Sequence, residues 1–179
     1  TEQVITTNAD GVRSVFATDV DGDGDMDVLS ASEYDDKIAW YEQEGSPVFE
    51  PQTKEELQTA VDLWVDDNSS ALATYGEINT WDVSLITDMS DLFNGKSEFN
   101  EDLSNWDVSS VMNMEYIFTG ATNFNGNISS WDVSSVTNMF RMFYRATAFD
   151  DTYDISNWDV SSVTDMRQMF EHATSFNQN

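Results

Sequence analysis

Asp19-Val-Asp21-Gly-Asp23-Gly-Asp25-Met-Asp27 places five carboxylates within nine residues, on alternate positions. The chemistry of that pattern is calcium binding, because calcium takes six to eight oxygens and alternating aspartates on a tight loop deliver them. Asp19, Asp21 and Asp23 fit ligand positions 1, 3 and 5, and Gly24 fits the sharp turn at position 6. Asp25 would bind through its backbone carbonyl and Asp27 through its carboxylate at position 9. The glutamate that an EF-hand needs at position 12 is missing, and Ser30 stands there. Strand-like runs flank the loop, Val15-Phe16-Ala17 before it and Val28-Leu29 after it. The expected site is therefore strand–loop–strand. The ion either rigidifies a hairpin or also contacts a ligand, and the first is the simpler reading.

The rest of the chain repeats that electrostatic theme. Across 179 residues, 34 acids face 7 lysines and arginines, a formal charge of −27. Such a surface attracts divalent cations and repels nucleic acid and anionic membranes. The absence of cysteine removes disulfides, thiolate zinc sites and cysteine nucleophiles together. No run of 18 apolar residues exists to span a membrane. The sequence opens at Thr1 without a signal peptide, which fits a mature product or an excised fragment.

Other candidate groups have plainer readings. Asp82, Asp107, Asp132 and Asp159 would stack into a carboxylate ladder, a second cation site or, more simply, a set of turn caps. His172, beside Glu171, is the lone histidine and reads as a solvated side chain before a general base. The Trp and Met stripes read as core before a sugar platform. Asn68-Ser-Ser and Asn127-Ile-Ser are N-glycosylation acceptors, with Asn68 the better placed, in a polar loop.

Composition divides the chain into residues 1–43, short strands around the acidic loop; 44–52, a linker holding Pro47 and Pro51; and 53–179. Thr53 and Glu56 have capping-box spacing. Leu57, Ala60, Val61, Trp64 and Val65 then share one helical face, suited to capping the first of the repeats. Trp81, Trp106 and Trp131 are 25 residues apart and Trp158 comes 27 later. A fixed period of this size marks stacked repeats that bury their apolar faces against one another. Trp131 and Val133 alternate like a strand, whereas Val136, Met139, Met142 and Phe143 have helical spacing. The predicted class is thus α/β: a right-handed strand–helix solenoid with a small antiparallel β unit before it.

The strings WDVSSVMNM, WDVSSVTNM and WDVSSVTDM make residues 53–179 resemble the BspA-like surface proteins, with units of the form WDVSSVTNMxxMFxxATxFN. That resemblance implies a leucine-rich-repeat-like solenoid on a secreted or cell-surface protein. Leu85-Ile86 and the two extra residues near Asp150–Asp154 depart from it. Residues 1–43, with DxDxDGxxD, resemble an FG-GAP/VCBS-type calcium-loop blade of the integrin-like propellers. Four strands fit a blade: Gln3–Thr6, Val12–Thr18, Asp27–Ser32 and Lys37–Glu42.

The expected function is extracellular structure or adhesion rather than catalysis, with Ca2+ as the bound ion. A lone blade and an uncapped last coil suggest either head-to-tail self-association into a filament or array, or a fragment whose missing flanks complete each half. The alternative is a recognition module that binds glycan or another surface protein along the solenoid.

Overall fold

The computed structural model describes residues 12–18, 27–32, 38–41, 48–150 and 152–177. The chain divides into two compact units, Thr1–Pro47 and Val48–Asn179.

In the first unit, β1 (Val12–Thr18), β2 (Asp27–Ser32) and β3 (Ile38–Tyr41) form an antiparallel sheet in the order β1-β2-β3. Thr18 pairs with Asp27 and Phe16 with Leu29, and an irregularity falls between Val12 and Ser14. Leu29 in turn pairs with Trp40 of β3. The first expected strand, Gln3–Thr6, lies outside the described residues. Three short strands do not amount to the expected blade.

The second unit opens with α1 (Lys54–Asp66). Thr53 Oγ accepts from the Glu56 amide at 3.2 Å, and the Glu56 carboxylate accepts from the Gln52 amide at 2.7 Å. Two amides at the helix start are thereby satisfied, although Glu56 reaches one residue further back than a capping box requires. Leu57, Ala60, Val61 and Trp64 are buried, while Val65 turns outward. A second helix, α2 (Asn68–Tyr75), comes next, capped by Asp67 and ended at Gly76 with φ 71°. The polar sequence around Asn68 predicts a loop there instead. Only Ala71 of α2 is buried, so no apolar stripe announces the helix.

From Trp81 the chain winds through four coils, which we number 1 (81–105), 2 (106–130), 3 (131–157) and 4 (158–177). The α/β expectation fails here. Among the described residues, 81–177 contain no α-helix and no strand; single parallel bridges join Asp88, Asn113, Asn138 and Asp165. The physical reason lies in where the amides point. The N–H groups of Met139, Arg141, Phe143 and Arg145 leave coil 3 sideways. They bond the carbonyls of Asp165, Arg167, Met169 and Glu171 in coil 4 at 2.8–3.1 Å. Coils 1 and 2 donate forward in the same way, from Met89, Asp91, Phe93 and Gly95 and from Met114, Tyr116, Phe118 and Gly120. Amides committed to a neighbouring coil cannot close i→i−4 helical bonds.

The helical spacing arises instead from overlapping four-residue turns. Met142 donates to the Met139 carbonyl, Tyr144 to Arg141 and Ala146 to Phe143. Two of these turns hold a left-handed residue third in line, the position type II turns reserve for φ > 0. In coils 1 to 4 the first such slot is filled by Asp91, Tyr116, Arg141 and Gln168, and the second by Gly95, Gly120, Arg145 and His172.

The core is a set of aromatic columns. Phe93, Phe118, Phe143 and Phe170 stack at 5.2, 5.5 and 5.4 Å between ring centroids. Phe99, Phe124, Phe149 and Phe176 form a parallel column at 6.0, 6.1 and 5.7 Å. Trp81, Trp106 and Trp131 are 2%, 2% and 3% exposed, but Trp158 is only partly buried. The expected column of four buried indoles therefore has three. Trp64 of α1 meets Trp81 edge-on at 5.8 Å, so α1 covers coil 1.

Candidate functional site

The acidic loop is the sharpest chemical feature of the sequence, but Asp19, Asp21, Asp23 and Asp25 lie outside the described residues. Asp27 opens β2, opposite Thr18. The two strands that bracket the acidic run are thus antiparallel neighbours.

On the stack the carboxylates act as turn caps. Oδ1 of Asp82, Asp107, Asp132 and Asp159 each accepts the backbone amide two residues on, at Ser84, Ser109, Ser134 and Ser161, all at 3.0 Å. These are Asx turns, and each anion is stabilised by the donor it accepts. The Ser84 hydroxyl and amide hold the Asp82 carboxyl below the usual carboxylate range. Ser134 does the same for Asp132, against a small opposing effect from Asp159. The Ser161 amide and hydroxyl lower Asp159. Among the described residues no group of three or more acidic or histidine side chains is placed to hold a metal ion.

The glycosylation candidates differ from expectation. Asn68 is exposed, but it begins α2 rather than lying in a loop. Asn127 is half-buried, and its Oδ1 accepts both the Ser129 amide at 3.1 Å and the Ser129 hydroxyl at 2.8 Å. His172 is exposed, 3.5 Å from Glu171.

The two ends of the stack differ in kind. At the first coil, Gln58 Nε2 donates to the Leu92 carbonyl at 3.1 Å. Lys54 reaches Ser90 Oγ and lies 3.5 Å from Asp88. At the last coil, the amides of Met166, Gln168, Phe170 and His172 occupy the slots that donate forward in every earlier coil. They have no acceptor among the described residues. Val160 and Met166 there are 40% and 39% exposed, while their coil 3 counterparts Val133 and Met139 are 1% and 0%. Trp158 Nε1 is buried without a partner among the described residues, whereas Trp106 and Trp131 donate to Ile78 O at 2.7 Å and Leu103 O at 2.9 Å.

One surface was not read from the sequence. Arg141 lies over Tyr144, Phe140 and Tyr116 at 4.9, 5.1 and 5.9 Å, and Arg145 lies over Tyr144 at 5.1 Å. Comparing slots across the repeats exposes the signal: Arg145 stands where coils 1 and 2 have glycine.

Among the described residues the turn-built stack presents surfaces. One described hollow, of about 330 Å³, is lined by Phe49, Glu55, Glu56, Thr59 and Tyr75. The comparisons with known proteins assign a family. Residues 65–179 match the family described as Mycoplasma protein of unknown function, DUF285, and the chain belongs to it. That match runs over the coils as one span and does not define a 25-residue unit. Residues 19–74 match an FG-GAP-like repeat, a span that starts at Asp19 and runs on through α1. No curated protein and no solved structure matches the chain.

Proposed function

We propose that this chain is an extracellular or cell-surface protein of the structural or adhesion type, acting through contact surfaces rather than through catalysis. The two family matches support a surface or adhesion-type protein. The observation that carries the reading is the open face of coil 4, where four outward amides adjoin exposed Val160 and Met166. Further chain or a partner would cover that face by bringing hydrogen-bond acceptors and apolar side chains. In the first reading the partner is another copy of the chain, giving head-to-tail assembly. Light scattering of the intact chain at rising concentration, with Ca2+ present, should show growth. A parallel sample lacking residues 1–43 tells whether the N-terminal unit contributes. A strictly monomeric intact chain sinks the assembly reading.

The alternative is recognition of glycan or of another surface protein along the stack. The half-buried aromatic side chains Tyr116, Phe140 and Tyr144 on one face favour it. A glycan titration that saturates without any change in particle mass would select it.

Calcium belongs to the same proposal. The FG-GAP-like match covers Asp19 to Asp27, and repeats of that kind generally bind the ion. The donor set is all oxygen, which suits a hard cation. Calcium supplies positive charge that would offset repulsion among five neighbouring carboxylates and fix the β1–β2 connection.

A further inference from the structure

We propose that Arg141 and Arg145, mounted on Tyr144, form a binding site for an acidic protein segment: an extended peptide with carboxylates on alternate residues. Composition makes these two arginines conspicuous. The chain has almost five acids for each cation, yet neither guanidinium has a carboxylate within 4 Å among the described residues. Arg167, by contrast, pairs with Asp165 at 2.7 Å.

The backbone places both arginines at left-handed turn positions. Arg141 and Arg145 have φ of 53° and 60°. In coils 1 and 2 the Arg145 slot is Gly95 and Gly120, at φ 73° and 68°. Coils 1 and 2 build this turn with glycine at no steric cost, whereas coils 3 and 4 carry Arg145 and His172 there.

The geometry brings the two arginines together. Both guanidiniums lie over the Tyr144 ring, at 4.9 and 5.1 Å, which keeps them within about 10 Å of each other. Stacking on a ring fixes the plane of a guanidinium while leaving its N–H edge to bind carboxylate in a fork. Gln168 Oε1 accepts the Arg141 Nε at 2.7 Å and further limits its rotation. Alternate side chains of an extended peptide share a face and lie about 7 Å apart. Two such carboxylates can engage both arginines together. A long polyanion is disfavoured by the −27 charge of the molecule, whereas a ligand with two or three charges feels mainly what lies within a Debye length of about 8 Å. A sugar acid offers one carboxylate and so can engage only one of the two arginines at a time.

The test is fluorescence anisotropy on the full chain with a labelled six-residue peptide alternating glutamate and serine, its glutamine counterpart, and glucuronate as competitor. The glutamate peptide should bind with Kd below about 1 mM and weaken as salt rises. The glutamine peptide should not bind. Arg145→Gly should weaken binding at least tenfold without lowering Tm, because glycine is what coils 1 and 2 use at this slot. Arg141→Gln should weaken it similarly. Equal affinity in Arg145→Gly, equal binding of the glutamine peptide, or displacement by glucuronate as potent as by unlabelled peptide would each overturn the proposal. The site does not depend on assembly through coil 4: a monomer that binds the peptide retains it, and a filament that ignores the peptide loses it.

Discussion

Replacing Gly126 with alanine should be the most damaging glycine substitution in the stack, and the structure says why. Gly126 is buried in coil 2, and a Cβ there would overlap the carbonyl oxygen of Glu101 in coil 1. It would also sit 2.9 Å from Phe124 Cε2 and 3.0 Å from the Glu101 carbonyl carbon. Relief needs the coils to part locally by about 1 Å, a typical overpacking response that costs about 1–3 kcal/mol. The bonds from Asn125 N to Asn100 Oδ1 at 2.6 Å and from Asn123 N to Ser97 O at 3.0 Å bridge the same two coils. Stretching them forfeits about 1 kcal/mol each, which brings the total to about 3–5 kcal/mol. Gly95→Ala is the control. Its Cβ meets nothing within 4 Å, but φ is 73°, so backbone strain of about 1 kcal/mol is the whole cost. Urea unfolding followed by tryptophan fluorescence should lower the midpoint by about 2 M for Gly126→Ala and by about 0.5 M for Gly95→Ala, taking m of about 2 kcal/mol/M. A smaller effect at Gly126 than at Gly95 would mean that the coil spacing is not pinned there.

Four further outcomes are expected. Trp131→Phe should lose about 1–2 kcal/mol through the broken bond to Leu103 O, whereas Trp158→Phe should be near neutral because its Nε1 has no partner among the described residues; thermal melts of both variants decide this. The carboxyls of Asp82, Asp132 and Asp159 are lowered, so their stabilising effect is present above the unfolded value of about 3.9 and is lost as pH falls through the folded one. Changing all three to asparagine keeps the turn acceptor, as Asn113 and Asn138 do, and should flatten the fall in Tm below pH 4; an unchanged acid profile would contradict this. Chelating Ca2+ should lower the stability of the first unit, and Asp21→Ala should abolish calorimetric Ca2+ binding; no binding by the unaltered chain removes the calcium proposal. In native-state hydrogen exchange the amides of Met166, Gln168, Phe170 and His172 should exchange far faster than those of Met139, Arg141, Phe143 and Arg145, and equal protection in dilute solution would refute an open coil 4.

The sequence made some elements readable and concealed others for identifiable reasons. Helix α1 was legible because a cap at Thr53 precedes apolar residues at helical spacing. The inward set of each coil was legible too, since Met89, Leu92, Phe93 and Phe99 and their equivalents are buried through coil 3. The conformation that turns them inward was not. Spacings of three and four also arise from turns of four residues linked by left-handed positions, and periodicity alone cannot tell these from a helix. Tyr116, Arg141 and Gln168 hid those positions, because left-handed conformation is signalled by glycine or asparagine and these residues are neither. The turn-capping role of the aspartates was readable from Asp with Ser two residues on. The Arg141–Tyr144–Arg145 cluster needed slot-by-slot comparison across coils, since no single repeat marks it.

The coils are bonded in both directions. The amides of Met89, Met114 and Met139 and their neighbours donate to carbonyls of the next coil, while Met112, Thr137 and Thr164 donate back to the carbonyls of Thr87, Met112 and Thr137. The first coil is met by Gln58 and Lys54 of α1, an amide and a cation, which are donors. Each inner coil is both donor and acceptor to its neighbours, so slipping one coil against the next would break bonds of both senses at once and leave buried amides and carbonyls unpaired together.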